Sequence, residues 1–254
     1  MSIRSSRYNP LRWVWEEYIA PIVDLVFVPS CAVCGKELAH TSQHICTACM
    51  LDAPLTYYWR DERSNPMAER MQNIRPEIVH AAAFIFYIHN SRWRDLIHRF
   101  KYNTEYRHGL RLGRWMGTEL REGEAYHDIE AVVAVPLHPL RRLKRGYNQS
   151  EMLAEGIAQA LSCKVIYRGI RRTRHNSAQA TTQRTERWAN VENLFKVIDP
   201  TQFADRDVLL VDDVFTTGAT ITSCAEAILD AAPTCRLRIA TFAVSNHEFG
   251  FAQR

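Results

Sequence analysis

Residues 207–220 read DVLLVDDVFTTGAT, and they decide how the rest of the chain is read. Four consecutive apolar residues, Val208 to Val211, predict a strand buried on both faces, the pattern of a parallel sheet. Asp212 and Asp213 stand at the end of that strand. Thr216-Thr217-Gly218-Ala219-Thr220 follows, leading into ITSCAEAILDAA (221–232), whose spacing predicts a helix. A strand, an acidic pair, a small hydroxyl-rich loop and a helix N-terminus together make a site for a phosphorylated sugar. The loop N–H groups and the positive end of the helix dipole accept a phosphate. Gly218 allows close backbone approach, and the threonine hydroxyls add donors. The two carboxylates can accept hydrogen bonds from a cis-diol. The plainer alternative is a buried strand ending in an Asp-rich turn and a capped helix.

The chain has 254 residues, 46% apolar and 24% charged, an ordinary composition for a globular protein of one or two domains. No apolar run approaches the ~20 residues that a membrane span needs. Glu16, Glu17 and Asp24 interrupt any signal-peptide core, so a cytoplasmic location is expected. A reducing compartment argues against disulfides, and the seven cysteines need another use. Cys31-Ala-Val-Cys34 and Cys46-Thr-Ala-Cys49 are two knuckles separated by eleven residues. Together they complete a tetrahedral S4 shell that suits a structural zinc ion, with Gly35 fitting the turn after the first knuckle. A redox pair or an iron–sulfur cluster is the alternative. His40 and His44 are nearby, but four cysteines already fill the shell. Cys163, Cys224 and Cys235 are scattered and read as small core residues.

The chain divides into a region 1–55, with an amphipathic helix over 11–27 and the four-cysteine module, a linker at 56–78 punctuated by Pro66 and Pro76, and a core domain over 79–254. The helix over 11–27 packs on the zinc module or lies on a membrane surface. In the core, strands are expected at 81–88, 131–136, 164–167, 194–198, 208–211 and 236–244. Helices are expected at 92–102, 108–121, 150–161 and 218–231. Alternation of this kind predicts a parallel sheet wrapped by helices, with ligands at the carboxyl ends of the strands.

Two basic segments flank this scheme. After the strand at 131–136 comes LHPLRRLKRGYNQ (137–149), with Arg141, Arg142, Lys144 and Arg145 in quick succession. The segment 168–190 is rich in arginine and poor in aliphatic residues, and is expected to be a mobile lid that excludes water, with Arg172, Arg174, Gln179 and Arg187 facing a polyanion. Between residues 136 and 190 there are eleven Lys and Arg against three acids, a local +8 in a chain whose total is +4. A solvated face is the plain explanation of such a run. Its place at a strand end, upstream of the acidic pair, favours an anion site.

Residues 207–220 resemble the 5-phosphoribosyl-1-pyrophosphate (PRPP) motif of type I phosphoribosyltransferases. From about Val26 to Val244 the chain resembles the ComF family of competence-associated, phosphoribosyltransferase-like proteins. The resemblance rests on the cysteine knuckles, Phe100-Lys101-Tyr102, Val135-Pro136-Leu137-His138, Arg145-Gly146-Tyr147-Asn148-Gln149-Ser150, Gln179, Arg187, Asn190-Val191, Phe195 and LLVDDVFTTGAT (209–220). It implies an α/β type I phosphoribosyltransferase fold, a parallel sheet flanked by helices, preceded by a small zinc-binding module. By the same resemblance Asp212 and Asp213 hold the ribose diol, and Thr216, Thr217, Gly218, Ala219 and Thr220 hold the 5′-phosphate. Leu137, His138, Arg141 and Arg145 would hold the pyrophosphate, with Mg2+ carried by PRPP's own oxygens and water. Arg145 joins the two aspartates as the catalytic set, neutralising the departing pyrophosphate. Lys101 is a weaker candidate. Phe215 stands where leucine or isoleucine is frequent, away from the expected phosphate contacts.

The implied activity is a magnesium-dependent phosphoribosyl transfer, a glycosyltransferase reaction, to an acceptor that no residue identifies. The implied setting is DNA uptake in natural transformation, with single-stranded DNA and competence-machinery proteins as partners. The alternatives are a non-catalytic single-stranded DNA-binding module and a PRPP-responsive regulator.

Overall fold

Val208, Leu209, Leu210 and Val211 are all buried, as an apolar run inside a central strand must be. The computed structural model describes residues 30–38, 44–61, 65–102, 106–138, 142–143, 146–173 and 194–245, in two compact units, Met1–Ala53 and Pro54–Arg254. In the first, Ser30 and Glu37 bridge as an antiparallel pair around the Cys31–Cys34 turn, and helix α1 (Thr47–Leu51) starts directly after Cys46. Gly35 takes the left-handed conformation (φ 74°) that this turn requires. The helix expected over 11–27 lies outside the described residues.

The second unit carries strands β1 (Ile78–Tyr87), β2 (Ala131–Ala134), β3 (Lys164–Val165), β4 (Ile170–Arg172), β5 (Phe195–Val197), β6 (Asp207–Phe215) and β7 (Arg236–Ser245). Five form one sheet in the order β1-β7-β6-β2-β3, and every pairing in it is parallel. Residues 194–198 do form a strand, but outside that sheet: β5 pairs antiparallel with β4. The helices are α2 (Pro66–Ile74), α3 (Arg92–Tyr102), α4 (Tyr106–Leu120), α5 (Gln149–Leu161) and α6 (Ala219–Ala231). Val208 and Leu210 join Met67 and Met71 of α2, and Ile221, Cys224 and Ile228 of α6, in one apolar core. Leu209 and Val211 alternate to the opposite face. Helix α5 packs on β2 and β6, and α4 packs on α5. The α/β sheet flanked by helices expected from the sequence is therefore present.

Residues 56–78 are not a linker. Asn65 caps α2 by accepting from the N–H groups of Met67 and Ala68, Pro66 occupies the first helical position, and Met67, Ala68 and Met71 are fully buried. Burying each methionine contributes about 1.5–3 kcal/mol, enough to fix a nine-residue helix that would be marginal alone. Asn65 also donates to the Ala81 carbonyl at 3.0 Å, tying the cap to edge strand β1.

Helices α4 and α5 cross at glycines. A Cβ on Gly156 would lie 2.1 Å from the Leu110 carbonyl oxygen, and one on Gly113 would lie 2.3 Å from that of Leu153. Backbone cannot yield as a flexible side chain does. Gly156→Ala is therefore expected to destabilise the fold by about 3 kcal/mol, read as a lowered urea midpoint. A midpoint within error of wild type would contradict the close crossing.

His80 is buried on β1, with Nδ1 2.9 Å from the Tyr126 hydroxyl and Nε2 2.9 Å from the Asp61 carbonyl oxygen. The carbonyl can only accept, so Nε2 carries the proton and Nδ1 accepts from the hydroxyl. Burial holds the imidazole pKa below its ordinary value, although the Asp61 carbonyl works against this. The unfolded chain therefore takes up a proton first, near pH 6.5. The contribution is fully present above that pH and is lost as pH falls toward the lower folded pKa. The drop in urea midpoint between pH 7 and pH 5 is expected to be smaller in His80→Asn than in wild type. Equal slopes would show that His80 does not titrate on unfolding. Asp207 acts in a different window. Burial opposes its ionisation, but hydrogen bonds from Arg236 and Arg238 hold its carboxyl below the usual range.

Candidate functional site

Two neighbouring strands of unequal reach create the site. Strand β6 pairs with β2 only as far as Val211, opposite Ala134, but with β7 as far as Phe215, opposite Val244. The last β2-side bond is donated by the Val135 N–H to the Val211 carbonyl at 2.8 Å. Beyond it Asp212 and Asp213 face the space over the end of β2. That space is a cavity of about 270 Å3, lined by Val135–Leu137, Gln149, Ser150, Arg172 and all of 212–221.

Each carboxylate is oriented before any ligand arrives. Asp212 Oδ1 accepts from the Ser150 hydroxyl and from the Asp213 N–H, both at 2.9 Å, and Asp213 Oδ1 accepts from the Val214 N–H at 2.7 Å. Ser150 is delivered by a buried cap: Asn148 accepts from the Ser150 N–H at 3.2 Å and donates to the Val135 carbonyl at 3.0 Å. One asparagine thus joins the end of β2, the start of α5 and the acidic pair. The Cys224 thiol is raised well above its ordinary value by burial, with the Asp212 charge adding to it, so it is an inert core group.

Thr216, Thr217, Gly218, Ala219 and Thr220 line the same cavity. Gly218 sits at φ 80° as the residue before α6, and a Cβ there would be 2.4 Å from the Phe215 ring. Phe215, expected to stand away from the phosphate contacts, therefore forms the wall against which the loop turns. The N-terminus of the 13-residue helix α6 opens at this loop.

The other half of the site is partly described. Leu137 lines the cavity, and His138 lies next to it in the chain but not in the lining. Arg142, one of the four cations of the 137–149 run, forms a two-point ion pair with Glu151 at 3.1 and 3.2 Å. Arg141, Arg145, Arg174, Gln179 and Arg187 lie outside the described residues. Arg172 departs from its expected place on a mobile lid. It is on β4, only 8% exposed, in the cavity lining, with its guanidinium carbon 5.5 Å from the Phe195 ring centre. Sequence reasoning assigned no role to Ser150 or Gln149, although both lie in the RGYNQS run. It also missed Arg70 of α2, whose Nη2 donates to the Thr217 carbonyl at 2.9 Å.

In the N-terminal unit, one sulfur from each of Cys31, Cys34, Cys46 and Cys49 lies within 4.8 Å of all the others, and those of Cys34 and Cys46 are 3.8 Å apart. Tetrahedral Zn–S bonds of ~2.3 Å place sulfurs about 3.8 Å apart, so the donor set fits. Burial opposes ionisation of Cys31, but N–H groups of Cys34, Cys46 and Val33 outweigh it and draw the thiol down to about 6. Burial and the neighbouring sulfurs push Cys49 up.

Residues 148–249, from the cap of α5 through β7, match the phosphoribosyl transferase domain family. Competence protein F of Haemophilus influenzae is 28% identical over 76% of this chain and 75% of its own length. DNA utilization protein YhgH of Escherichia coli O6:H1 is 26% identical over 78% and 83%. Competence protein ComFC of Streptococcus pneumoniae is 28% identical over 57% and 59%. No helix among the described residues is long and apolar enough to cross a membrane.

Proposed function

Since the chain is a ComF-family phosphoribosyltransferase-like protein with a type I phosphoribosyltransferase fold, we propose that its cavity binds PRPP and transfers the phosphoribosyl group. One observation carries this: the acidic pair and the whole Thr216–Thr220 loop converge on a single 270 Å3 cavity at the carboxyl end of β6. Asp212 and Asp213, aligned by Ser150 and by the N–H groups of Asp213 and Val214, accept the ribose 2′- and 3′-hydroxyls. The loop and the α6 N-terminus take the 5′-phosphate. Holding both ends of the ribose fixes C1 toward the acceptor and lowers the entropic part of the barrier. Magnesium carried by PRPP's own oxygens would help neutralise the departing pyrophosphate. Arg141 and Arg145 add positive charge to the same group, and Leu137 borders it. The transition state at C1 is carbocation-like, so exclusion of water from the cavity protects it from hydrolysis. The names of the relatives, a competence protein and a DNA utilization protein, support a role in DNA uptake.

A single-stranded DNA-binding module is the second reading, favoured by those names. Arg172, one of the cations on which it depends, is 92% shielded and lines a pocket sized for a sugar phosphate rather than a polymer backbone. That shielding favours the small ligand over a polymer for Arg172.

Calorimetric titration with PRPP and magnesium is expected to give one site per chain. Asp212→Asn/Asp213→Asn is expected to weaken it at least tenfold, the loss of two charge-assisted hydrogen bonds. No heat with wild type, or equal affinity in the double variant, would overturn the proposal.

The four cysteines would hold a structural zinc. Purified protein is expected to contain one zinc per chain, and Cys34→Ser to lose it with a lower melting temperature. Purified protein that holds no zinc, or Cys34→Ser melting at the wild-type temperature, would contradict this.

A further inference from the structure

Resting on the phosphate reading of the Thr216–Thr220 loop, we infer that Arg70 is a positioning residue, which sets the loop's N–H groups for the phosphate from outside the phosphoribosyl transferase match at 148–249. Two contacts define its role, and a third holds the ring it meets. Arg70 Nη2 donates to the Thr217 carbonyl at 2.9 Å. Its guanidinium carbon lies 5.8 Å from the centre of the Phe215 ring, within cation–π range. Gly218 packs against the same ring, since a Cβ there would lie 2.4 Å from Phe215.

The geometry follows from peptide planarity. In a trans peptide the C=O and the next N–H point in opposite directions. With the Thr217 carbonyl turned toward α2 to meet Arg70, the Gly218 N–H is turned away from α2. This peptide precedes a residue at φ 80°, in a region where glycine has no strong preference between mirror conformations. A glycine hinge held by nothing would sample both orientations and offer the phosphate a donor only part of the time. Arg70 supplies the differential contact: it bonds the carbonyl in one orientation only. Helix α2 is a rigid base for it, since Met67 and Met71 flank Arg70 in sequence and are fully buried. Arg70 acts through the loop and touches no reacting atom.

The test combines two measurements on the full-length protein. Amide hydrogen exchange without ligand reads the loop and the first turn of α6 (216–222), where the Thr222 N–H bonds the Gly218 carbonyl. Calorimetry with ribose 5-phosphate and, separately, inorganic pyrophosphate reads the two ends of the cavity. In Arg70→Ala, exchange over 216–222 is expected to quicken, ribose 5-phosphate affinity to fall about fivefold, and pyrophosphate affinity and melting temperature to stay at wild-type values. Arg70→Lys, which keeps one donor, is expected to recover part of the ribose 5-phosphate affinity. Unchanged exchange and unchanged ribose 5-phosphate affinity in Arg70→Ala would overturn the role of Arg70 while leaving the phosphate reading intact. A parallel loss of pyrophosphate affinity and melting temperature would overturn it in favour of general structural damage. Wild type that binds no ribose 5-phosphate would overturn the phosphate reading and this inference with it.

Discussion

The stagger between β2 and β6 is the constraint on which the cavity depends. Strand β6 is held on one side up to Phe215 by β7, but released on the other after Val211. Four residues therefore project past β2 on a rigid support. Two of them are the aspartates, and they need the support: adjacent carboxylates repel, and only a backbone fixed by its neighbour keeps both aimed at one volume. The released edge supplies the room. A longer β2 would pair with 212–215 and close it.

The groups around the opening each solve part of the same problem. Asn148 spends its side chain on backbone, joining the end of β2 to the start of α5, and so presents Ser150 to Asp212. Phe215 and Gly218 turn the chain sharply enough for α6 to begin at the cavity wall. Arg172 arrives from the β4–β5 pair, outside the main sheet, and brings a shielded positive charge to a pocket lined by two negative ones. A shielded, preoriented set of opposite charges suits a ligand that carries both a diol and phosphates.

Much of this was legible in the sequence, for identifiable reasons. DVLLVDDVFTTGAT announces its strand, acids and loop because each step uses a residue type that few other structures need in that order. Helix α5 and strand β7 follow from long, unambiguous periodicity. The segment 56–78 misled because prolines read as breaks, whereas Pro66 occupies a helix start and Asn65 is its cap. Arg70 was hidden inside it. Arg172 misled because a three-residue strand has no periodicity of its own, and an arginine-rich stretch looks solvent-facing until β5 pairs with it. Ser150 was read as part of a matched run, but its partner, 62 residues away, is a product of topology alone.

The central claim concerns where a sugar phosphate sits, and a crystal structure with ribose 5-phosphate bound addresses it most directly. The account predicts the phosphate within hydrogen-bonding distance of the N–H groups at 218–220, with the 2′- and 3′-hydroxyls on Asp212 and Asp213. A ligand bound elsewhere, or bound in this cavity with its phosphate away from the α6 N-terminus, would contradict it.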